Sequence, residues 1–518
     1  MNTKALKQKI LDLAIHGKLV AQNPDDESAS ELLEKIRAEK AKLVAEKKMK
    51  ADKKDSFIFV GDDDRHYEKF ADGTVKDIED EIPFEVPEGW ALERIGNVLE
   101  LINGRAYKKP ELLQKGKYKV LRVGNFFTNE SWYFSDLELE DNKYCYNGDL
   151  LYAWSASFGP KIWNGDKTIF HYHIWNVKFN EKLFHKFFLY YFLLKDVDTI
   201  KESTTGSTMV HVSMENMKPR FICIPPLAEQ QRIVSAIQSI FSKIDTIEQN
   251  KSDLQTAIKQ AKSKILDLAI HGKLVAQDSN DESASVLLEK IRAEKAKLVA
   301  EKKMKVDKKD SFIFVGDDDR HYEKFADGTV KDIEDEIPFE LPEGWAWTFM
   351  KDIVTINPKN KLDDNLPVSF IPMTLIDSEY KNTHGQEERL WKDIKKGFTH
   401  FAENDVAIAK ISPCFENRKS VVLKNLKNGF GAGTTELYIL RSSEVVLPEY
   451  LLWLAKSDNF INTGVGNFSG VVGQQRLARD IVEDYLVPLP PLAEQKRIVW
   501  KIEALFARLE AIADELAV

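Results

Sequence analysis

At 518 residues, with 43% apolar and 10% aromatic content, the chain has material for two or more packed domains and is too apolar to be disordered. Three cysteines, Cys145, Cys223 and Cys414, point to a reducing cytoplasm and set aside a disulfide framework or a four-thiolate zinc site. A net charge of −9 argues mildly against nucleic acid as a partner, yet much of the acid sits in GDDD at Gly61, DIEDE at Asp77 and their later copies, which leaves room for local positive faces elsewhere.

The first predicted element is a helix over Leu6–Ile15, stopped by Gly17. Lysines precede its apolar run, but Asp12 interrupts the run, so it is no secretion signal. Capping residues between Asp25 and Ser30 open a second helix, about Ser28 to Lys50, with Leu32, Leu33, Ile36, Leu43 and Val44 on one side and a solvated row of lysines on the other. FIFV at Phe57 and YEKFADGTVKDI follow, the latter carrying an Asp72-Gly73 hairpin turn, and PFEVPEGW leads into a longer region. There LERIGNVLELI, YKVLRVGNF, DLLYAWS and IWNVKF read as strand-like runs between turns. A helical FHKFFLYYFLL at Phe184, a polar loop ESTTGSTMVHVS and a strand RFICIP complete it. The longest apolar run, Phe187–Leu194, is far too short for a membrane span.

Pro225-Pro226 then opens a stretch with no further proline or glycine until Gly272. Ile233, Ile237, Ile240, Ile244, Ile247, Leu254, Ile258, Ala261, Ile265 and Leu268 alternate in steps of four and three, apart from a gap at Lys251, as in the seam of a coiled coil. At about 1.5 Å per residue the helix from Leu227 to His271 spans roughly 65 Å, the length of a spacer. PPLAEQKRIVWKIEALF at Pro490 repeats its first half, placing Ile498, Ile502, Leu505, Leu509 and Ile512 each 265 positions after a seam residue. Ile10 and Leu13 stand 255 positions before Ile265 and Leu268 and repeat its second half. The two ends are therefore expected to lie together beside the middle helix, about an approximate two-fold axis.

The repeat continues outward. Lys9–Trp90 and Lys264–Trp345 differ at six of 82 aligned positions, after which the similarity stops until the second PPLAEQ string. A duplicated frame thus carries two unlike inserts, which follow a similar order of elements: WTFMKDIVTI, VSFIPMTLI, DVAIAKIS, SVVLKNL and TELYILR as strand-like runs, a helical YLLWLAK at Tyr450, a polar loop GNFSGVVGQQRLARD and a strand YLVPLP. The expected fold class is α/β of mixed α+β type, in two copies joined by long antiparallel coiled-coil helices, with a pseudo-two-fold internal repeat. The segments are 1–26 and 27–86 (first frame copy), 87–224 (first insert), 225–280 (long helix), 281–341 (second frame copy), 342–489 (second insert) and 490–518 (last helix).

Catalytic signatures are scarce. The HGK strings at His16 and His271 lack the glycines and hydroxyl residue of a phosphate loop, and GFGAGTT at Gly429 lacks dinucleotide-binding spacing. IPPL at Ile224 and LPPL at Leu489 do not supply the strand end by which an amino-methyltransferase grips its target. A nuclease-like reading of Pro24, Asp25, Glu46 and Lys48 fails because the other copy has Ser279 and Asn280. His171 and His173 with Cys145 read as one face of a strand rather than as metal ligands. No metal site is expected.

Two similar readers on a rigid spacer suit a DNA target of two half-sites, which recur on one face of the duplex about every 34 Å. The paired PPLAEQ[QK]RIV strings, HGKLV, LLEKIRAEK and the PEGW entry to each insert resemble the specificity subunit of Type I restriction-modification systems across essentially the whole chain. The resemblance implies two target-recognition domains (residues 87–224 and 342–489), each reading half of an asymmetric bipartite sequence in double-stranded DNA. The helices would set the gap and the frame would dock two modification (methyltransferase) subunits, to which restriction (translocase/nuclease) subunits are added. The chain itself would be non-catalytic, with S-adenosylmethionine, ATP and Mg²⁺ belonging to the partners.

Loops with Arg, Asn and Gln for base edges and Lys, Ser and Thr for phosphate are the candidate DNA contacts. In the first insert these are Asn103, Arg105, Tyr107, Lys108, Lys109, Arg122, Asn125, Thr204, Thr205, Ser207, Thr208 and His211. In the second they are Lys359, Asn360, Lys361, Lys410, Ser412, Asn417, Arg418, Lys419, Asn467, Ser469, Gln474, Gln475 and Arg476. A bare coiled-coil scaffold needs no large strand-rich inserts, and a standalone DNA methyltransferase needs a methyl-donor site; these are the rival readings.

Overall fold

The computed structural model describes residues 2–46, 56–82, 84–155, 157–203, 212–301, 310–471 and 475–517. It forms two compact units, Met1–Asn250 and Lys251–Val518, divided within the longest helix, Leu227–Ile270.

In the first unit the helix Thr3–Ile15 is capped by the Asn2 side chain, which accepts from the Ala5 backbone N–H at 3.0 Å. It ends where Gly17 takes φ +65°, and a Cβ there would stand 2.7 Å from Pro87 Cγ; Gly272 repeats both features with φ +64° and Pro342 at 2.2 Å. Glycine is needed twice over, for the left-handed turn and for the proline beside it. The next helix runs Ala29–Ala45, the remainder of its expected span to Lys50 lying outside the described residues beyond Glu46, and rests on an antiparallel sheet of Ser56–Val60, His66–Phe70 and Val75–Asp77.

The insert of this unit holds two four-stranded sheets. One orders Ser157–Ile162, Leu150–Ser155, Ile174–Phe179 and Leu99–Asn103, all antiparallel; the other orders Tyr133–Ser135, Tyr118–Leu121, Thr168–Phe170 and Tyr144–Cys145, with Tyr118–Leu121 and Thr168–Phe170 parallel. Ala91–Arg94 pairs with Phe221–Ile224 to close the insert where it enters and leaves the frame. Some runs that read as single strands are composite, because Ile95–Val98 and Val123–Phe127 each make one helical turn.

The second unit repeats this plan. Ser420–Val422, Val406–Ala409, Leu437–Ser442 and Val354–Ile356 form the first sheet; Glu387–Leu390, Pro367–Ile371, Phe430–Gly433 and Thr399–Ala402 form the second, again with one parallel pair in its middle. Ala346–Phe349 and Leu486–Leu489 close it. The two inserts are one fold with the same strand order.

Each unit contains an antiparallel helix pair. Thr3–Ile15 lies along the first half of the long helix, with Lys7 Nζ 2.5 Å from Asp245 and Thr3 bonded to Glu248. Leu492–Ala517 lies along its second half, with Lys262 Nζ 3.0 Å from Glu510. Seam residues Ile233, Ile237, Ile244, Ile258, Ile498 and Ile502 are buried, whereas Ile240, Ile265, Leu268, Leu505 and Leu509 are half-buried. The pattern departs from a continuous seam at Ile247, Leu254 and Ile512, which are 50%, 40% and 43% exposed. Thr3, at the start of the first helix, lies opposite Glu248 on the long helix.

The duplicated frame reproduces its polar contacts. Trp90 Nε1 donates to Glu229 at 3.1 Å and Trp345 Nε1 to Glu494 at 3.0 Å; Arg232 pairs with Asp26 and Arg497 with Asp281, both at 2.7 Å. Gln230 Nε2 donates to the carbonyls of Leu183 and Pro225, and Gln495 Nε2 to those of Val445 and Pro490. These fully buried glutamines tie each insert's helical region to the start of a long helix, so the PPLAEQ string is legible as structure: the proline pair breaks the strand, Glu caps the frame tryptophan, and Gln clamps the insert.

Candidate functional site

At one rim of the first insert, several chain segments converge. The connection His171–His173 joins the parallel-paired strand Thr168–Phe170 to the central strand Ile174–Phe179. Every backbone hydrogen-bonding group in it is engaged. The N–H groups of His171 and Tyr172 donate to the carbonyls of Leu121 (2.9 Å) and Arg105 (3.1 Å), and that of His173 to His171 Nδ1 at 3.5 Å. The three carbonyls accept from the Ile174 N–H, the Trp154 Nε1–H and the Trp154 N–H at 2.9 to 3.0 Å. Gly104 permits this closeness, since a Cβ there would sit 2.2 Å from the Phe170 carbonyl oxygen.

Rings gather at the same place. Tyr172 and His173 have centroids 3.9 Å apart, Trp154 and His173 5.0 Å, and Tyr107 stacks on His171 at 6.3 Å. Burial, then the neighbouring His173 and Arg122, push the His171 imidazole down to about 4, so it is neutral at physiological pH. The Tyr107 phenol is pushed up by burial.

Of the residues expected to meet DNA, Asn103, Arg105, Tyr107 and Arg122 come to this rim. Arg105 is already engaged: its guanidinium forms a two-point pair with Glu111 at 2.8 and 3.0 Å. That pair, followed by the Lys108 backbone N–H, holds the Glu111 carboxyl down to about 2. Arg122 is exposed and lies over the Tyr133 ring at 5.1 Å. Lys108 and Lys109 are exposed beside a short 3₁₀ turn, while Asn125 turns inward to the carbonyls of Asn129 and Ser131. Thr204, Thr205, Ser207, Thr208 and His211 lie outside the described residues, as does Gln474; the chain re-emerges at Val212, whose N–H donates to the Trp154 carbonyl at 3.0 Å.

The second insert builds the same rim from other side chains. The Lys410 N–H donates to the Glu436 carbonyl, and the Leu477 N–H to the Lys410 carbonyl, as the N–H groups of Trp154 and Val212 do in the first. Lys410 therefore stands where Trp154 stands, Glu436 replaces His173, and Thr435 replaces Tyr172. Arg476 is held by Glu436 at 2.9 and 3.0 Å, which keeps the Glu436 carboxyl below its usual range. Ser412 and Gln475 join through the Ser412 N–H and the Gln475 carbonyl at 2.9 Å; Ser469 is exposed on the short strand beside Arg476.

Most of the remaining expected residues do structural tasks here. Arg418 donates to the Lys456 carbonyl at 2.9 Å and pairs with Asp458. Lys456 is buried and gives its ammonium to the carbonyls of Glu379 and Arg418 at 2.8 Å each; burial pushes it down to about 7. Lys419 donates to the Met373 carbonyl, the Asn417 carbonyl accepts from the Glu379 N–H, and Asn467 caps its own helix through the Thr463 carbonyl. Asn360 is tied to His400, Phe401 and Arg441, with Lys359 and Lys361 exposed on either side.

Sequence reasoning missed Trp154, Tyr172 and His173 as part of this surface. HYH in a glycine-free stretch reads as strand, and only the fold shows that it turns the corner between two sheets. Cys145 is buried with its Sγ–H directed to the Thr168 carbonyl at 3.4 Å, and among the described residues no group of three or more His, Cys, Asp or Glu is placed to hold a metal. Among the same residues no helix is long and apolar enough to cross a membrane.

A family model described as Type I restriction modification DNA specificity domain matches residues 87–256 and 342–517. Over 262 residues the chain is 45% identical to the Type I restriction enzyme EcoAI specificity subunit of Escherichia coli and 44% identical to the EcoEI specificity subunit of the same species. Each alignment takes in 50% of this chain and 40% of the relative, so the match spans less than half the length of those relatives. A chain solved in work on complex assembly and conformational transition of the type I R-M system shares the fold, with a TM-score of 0.51 at 14% identity over 84% of this chain and 94% of that one.

Proposed function

The chain belongs to the Type I restriction modification DNA specificity family, and from that premise we propose that it is the DNA sequence-specificity subunit of a Type I restriction-modification complex. Each insert reads one half of an asymmetric bipartite target in double-stranded DNA. The observation that carries this reading is a single fold present twice with unlike chemistry at the same rim: Trp154, Tyr172 and His173 in one insert, Lys410, Thr435 and Glu436 in the other. Repeated architecture with changed side chains at a convergent loop surface is what two readers of different sequences require.

The chain is non-catalytic in this reading. Base modification and cleavage fall to partners, two modification subunits docked on the two frame copies and the restriction subunits added to them, which bring S-adenosylmethionine, ATP and Mg²⁺ to a cytoplasmic complex. The near-identity of the frames, six differences in 82 positions, supports two equivalent docking surfaces. The helix Leu227–Ile270, 44 residues without interruption, supports the role of spacer.

Methylation-sensitive sequencing of host DNA with and without this chain tests the assignment: a bipartite motif with a constant gap is expected to appear with it and vanish without it. Removing the heptad Ile240–Thr246 is expected to change the gap and leave the bases of each half as they were. An unchanged gap in an assembled, active complex would remove the spacer role.

A further inference from the structure

We propose that the three-residue connection His171–His173 sets base preference in the first insert, with the Tyr172 ring as its DNA-contacting group, and that Thr434–Glu436 is the matching element in the second. The proposal rests on the function given above and specifies where in each insert it resides.

The argument begins with rigidity. A surface loop usually leaves part of its backbone to water, but here all six backbone groups of His171, Tyr172 and His173 are bound, five of them to neighbouring backbone or the Trp154 indole and the His173 N–H to the His171 ring. With the main chain fixed, the Tyr172 side chain is nonetheless 38% exposed, and its hydroxyl makes no hydrogen bond among the described residues. An exposed aromatic ring on a fixed backbone loses little conformational freedom when it binds, and it offers both an apolar face and a polar tip. Those are the two contacts a base edge accepts in the major groove, the thymine methyl for the ring and a base acceptor or donor for the hydroxyl. His171 and Trp154 pack beside the ring, with centroids 4.6 and 5.9 Å away, and His171 remains neutral.

The second observation is positional. Matching hydrogen bonds place Glu436 on His173, Thr435 on Tyr172 and Lys410 on Trp154. At this rim, which both inserts build alike, Trp154, Tyr172 and His173 of the first are replaced by Lys410, Thr435 and Glu436 in the second, where Glu436 pairs with Arg476. Glu436 is a positioning residue, and Arg476 the group it presents. Different side chains at matching positions of a shared fold separate two specificities without altering the fold.

The test uses the full complex assembled on this chain, with the methylated motif read by sequencing and affinity read by titration at fixed salt. Tyr172→Ala is expected to relax or change one or more bases in one half-site and to weaken cognate binding about tenfold, leaving the other half-site unaltered. Tyr172→Phe separates ring from hydroxyl: loss of discrimination at one base with near-normal affinity assigns that base to the hydroxyl, and an unaltered motif assigns the contact to the ring. Glu436→Gln is expected to change the other half-site only. A motif unchanged in both halves for Tyr172→Ala and Glu436→Gln, with affinity within about twofold of the unmodified complex, overturns the proposal while the bipartite motif itself stands. Absence of any bipartite motif with the unmodified chain overturns the parent reading, and this one with it.

Discussion

Arg37 and Arg292 occupy the same place in two nearly identical frame helices, yet they end in different company. Each guanidinium lies over a phenylalanine of its own frame sheet, Phe57 at 4.6 Å and Phe312 at 4.5 Å. Beyond that contact the inserts decide. In the first unit the insert's opening strand supplies Glu93, nearly inaccessible, which takes Arg37 at 2.5 Å together with the Ile58 backbone N–H and the Asn97 amide. In the second unit Thr348 and Asp352 stand at those positions; Arg292 turns back to the Leu288 carbonyl of its own helix at 3.2 Å, and Asp352 accepts from the Phe349 N–H at 3.3 Å. Identical frame residues fix the apolar contacts, while the charge pairing comes from whatever insert the frame is given.

The strongest way to break this comparison is to remove the acid. Glu93→Ala leaves the buried Ile58 N–H without its acceptor and takes the carboxylate from Arg37 and Asn97, which keep the Ile58 carbonyl and Ser56; it is expected to destabilise the first unit by about 3 kcal/mol, whereas Thr348→Ala costs the second unit under about 1 kcal/mol. Native-state hydrogen exchange reports the units separately, and equal losses at the two positions would show that the frame does not depend on its insert.

A second measurement sharpens the comparison through pH. Burial, opposed by Lys351 and Lys295, pushes the Asp352 carboxyl up to about 6. A folded pKa above the unfolded value means that its favourable contribution is complete below about pH 4 and is lost as pH rises through 6. Asp352→Asn, which gives the second unit the residue of the first, is therefore expected to raise its stability at pH 7 by an amount on the order of 2 kcal/mol and to leave it nearly unchanged at pH 4. Denaturant midpoints at the two pH values check this, and a gain equal at both would exclude titration as its cause.

The smallest effect is expected at the equivalent positions Ile247 and Ile512, both about half exposed. Replacing either by Asn should cost under about 0.5 kcal/mol, against about 3 kcal/mol for Ile237→Ala in the buried part of the seam. A large loss at Ile247 would mean that the seam is covered where it looks open.

Much of this was legible without coordinates. The duplicated frame and the long helix follow from the 255- and 265-residue offsets and from seam periodicity, and the common fold of the inserts from their similar order of strand-like runs, helix, polar loop and strand. The candidate DNA contacts were less legible, because composition cannot distinguish an arginine that waits for a ligand from one already paired. Arg105 and Arg418 have the residue type and loop setting expected of base readers, but Glu111 and Asp458 hold them. Conversely, nothing in HYH at His171 marks it as surface, since alternating aromatics there suit a strand equally well.

The sequence by itself determined that this protein has two matching halves around one long helix, because duplication and helical periodicity are properties of the order of residues along the chain. Only the tertiary structure decided which side chains share the rim of each insert. That rim is assembled from segments about twenty to one hundred residues apart, brought together by strand pairing, and partners that far apart leave no local pattern to read.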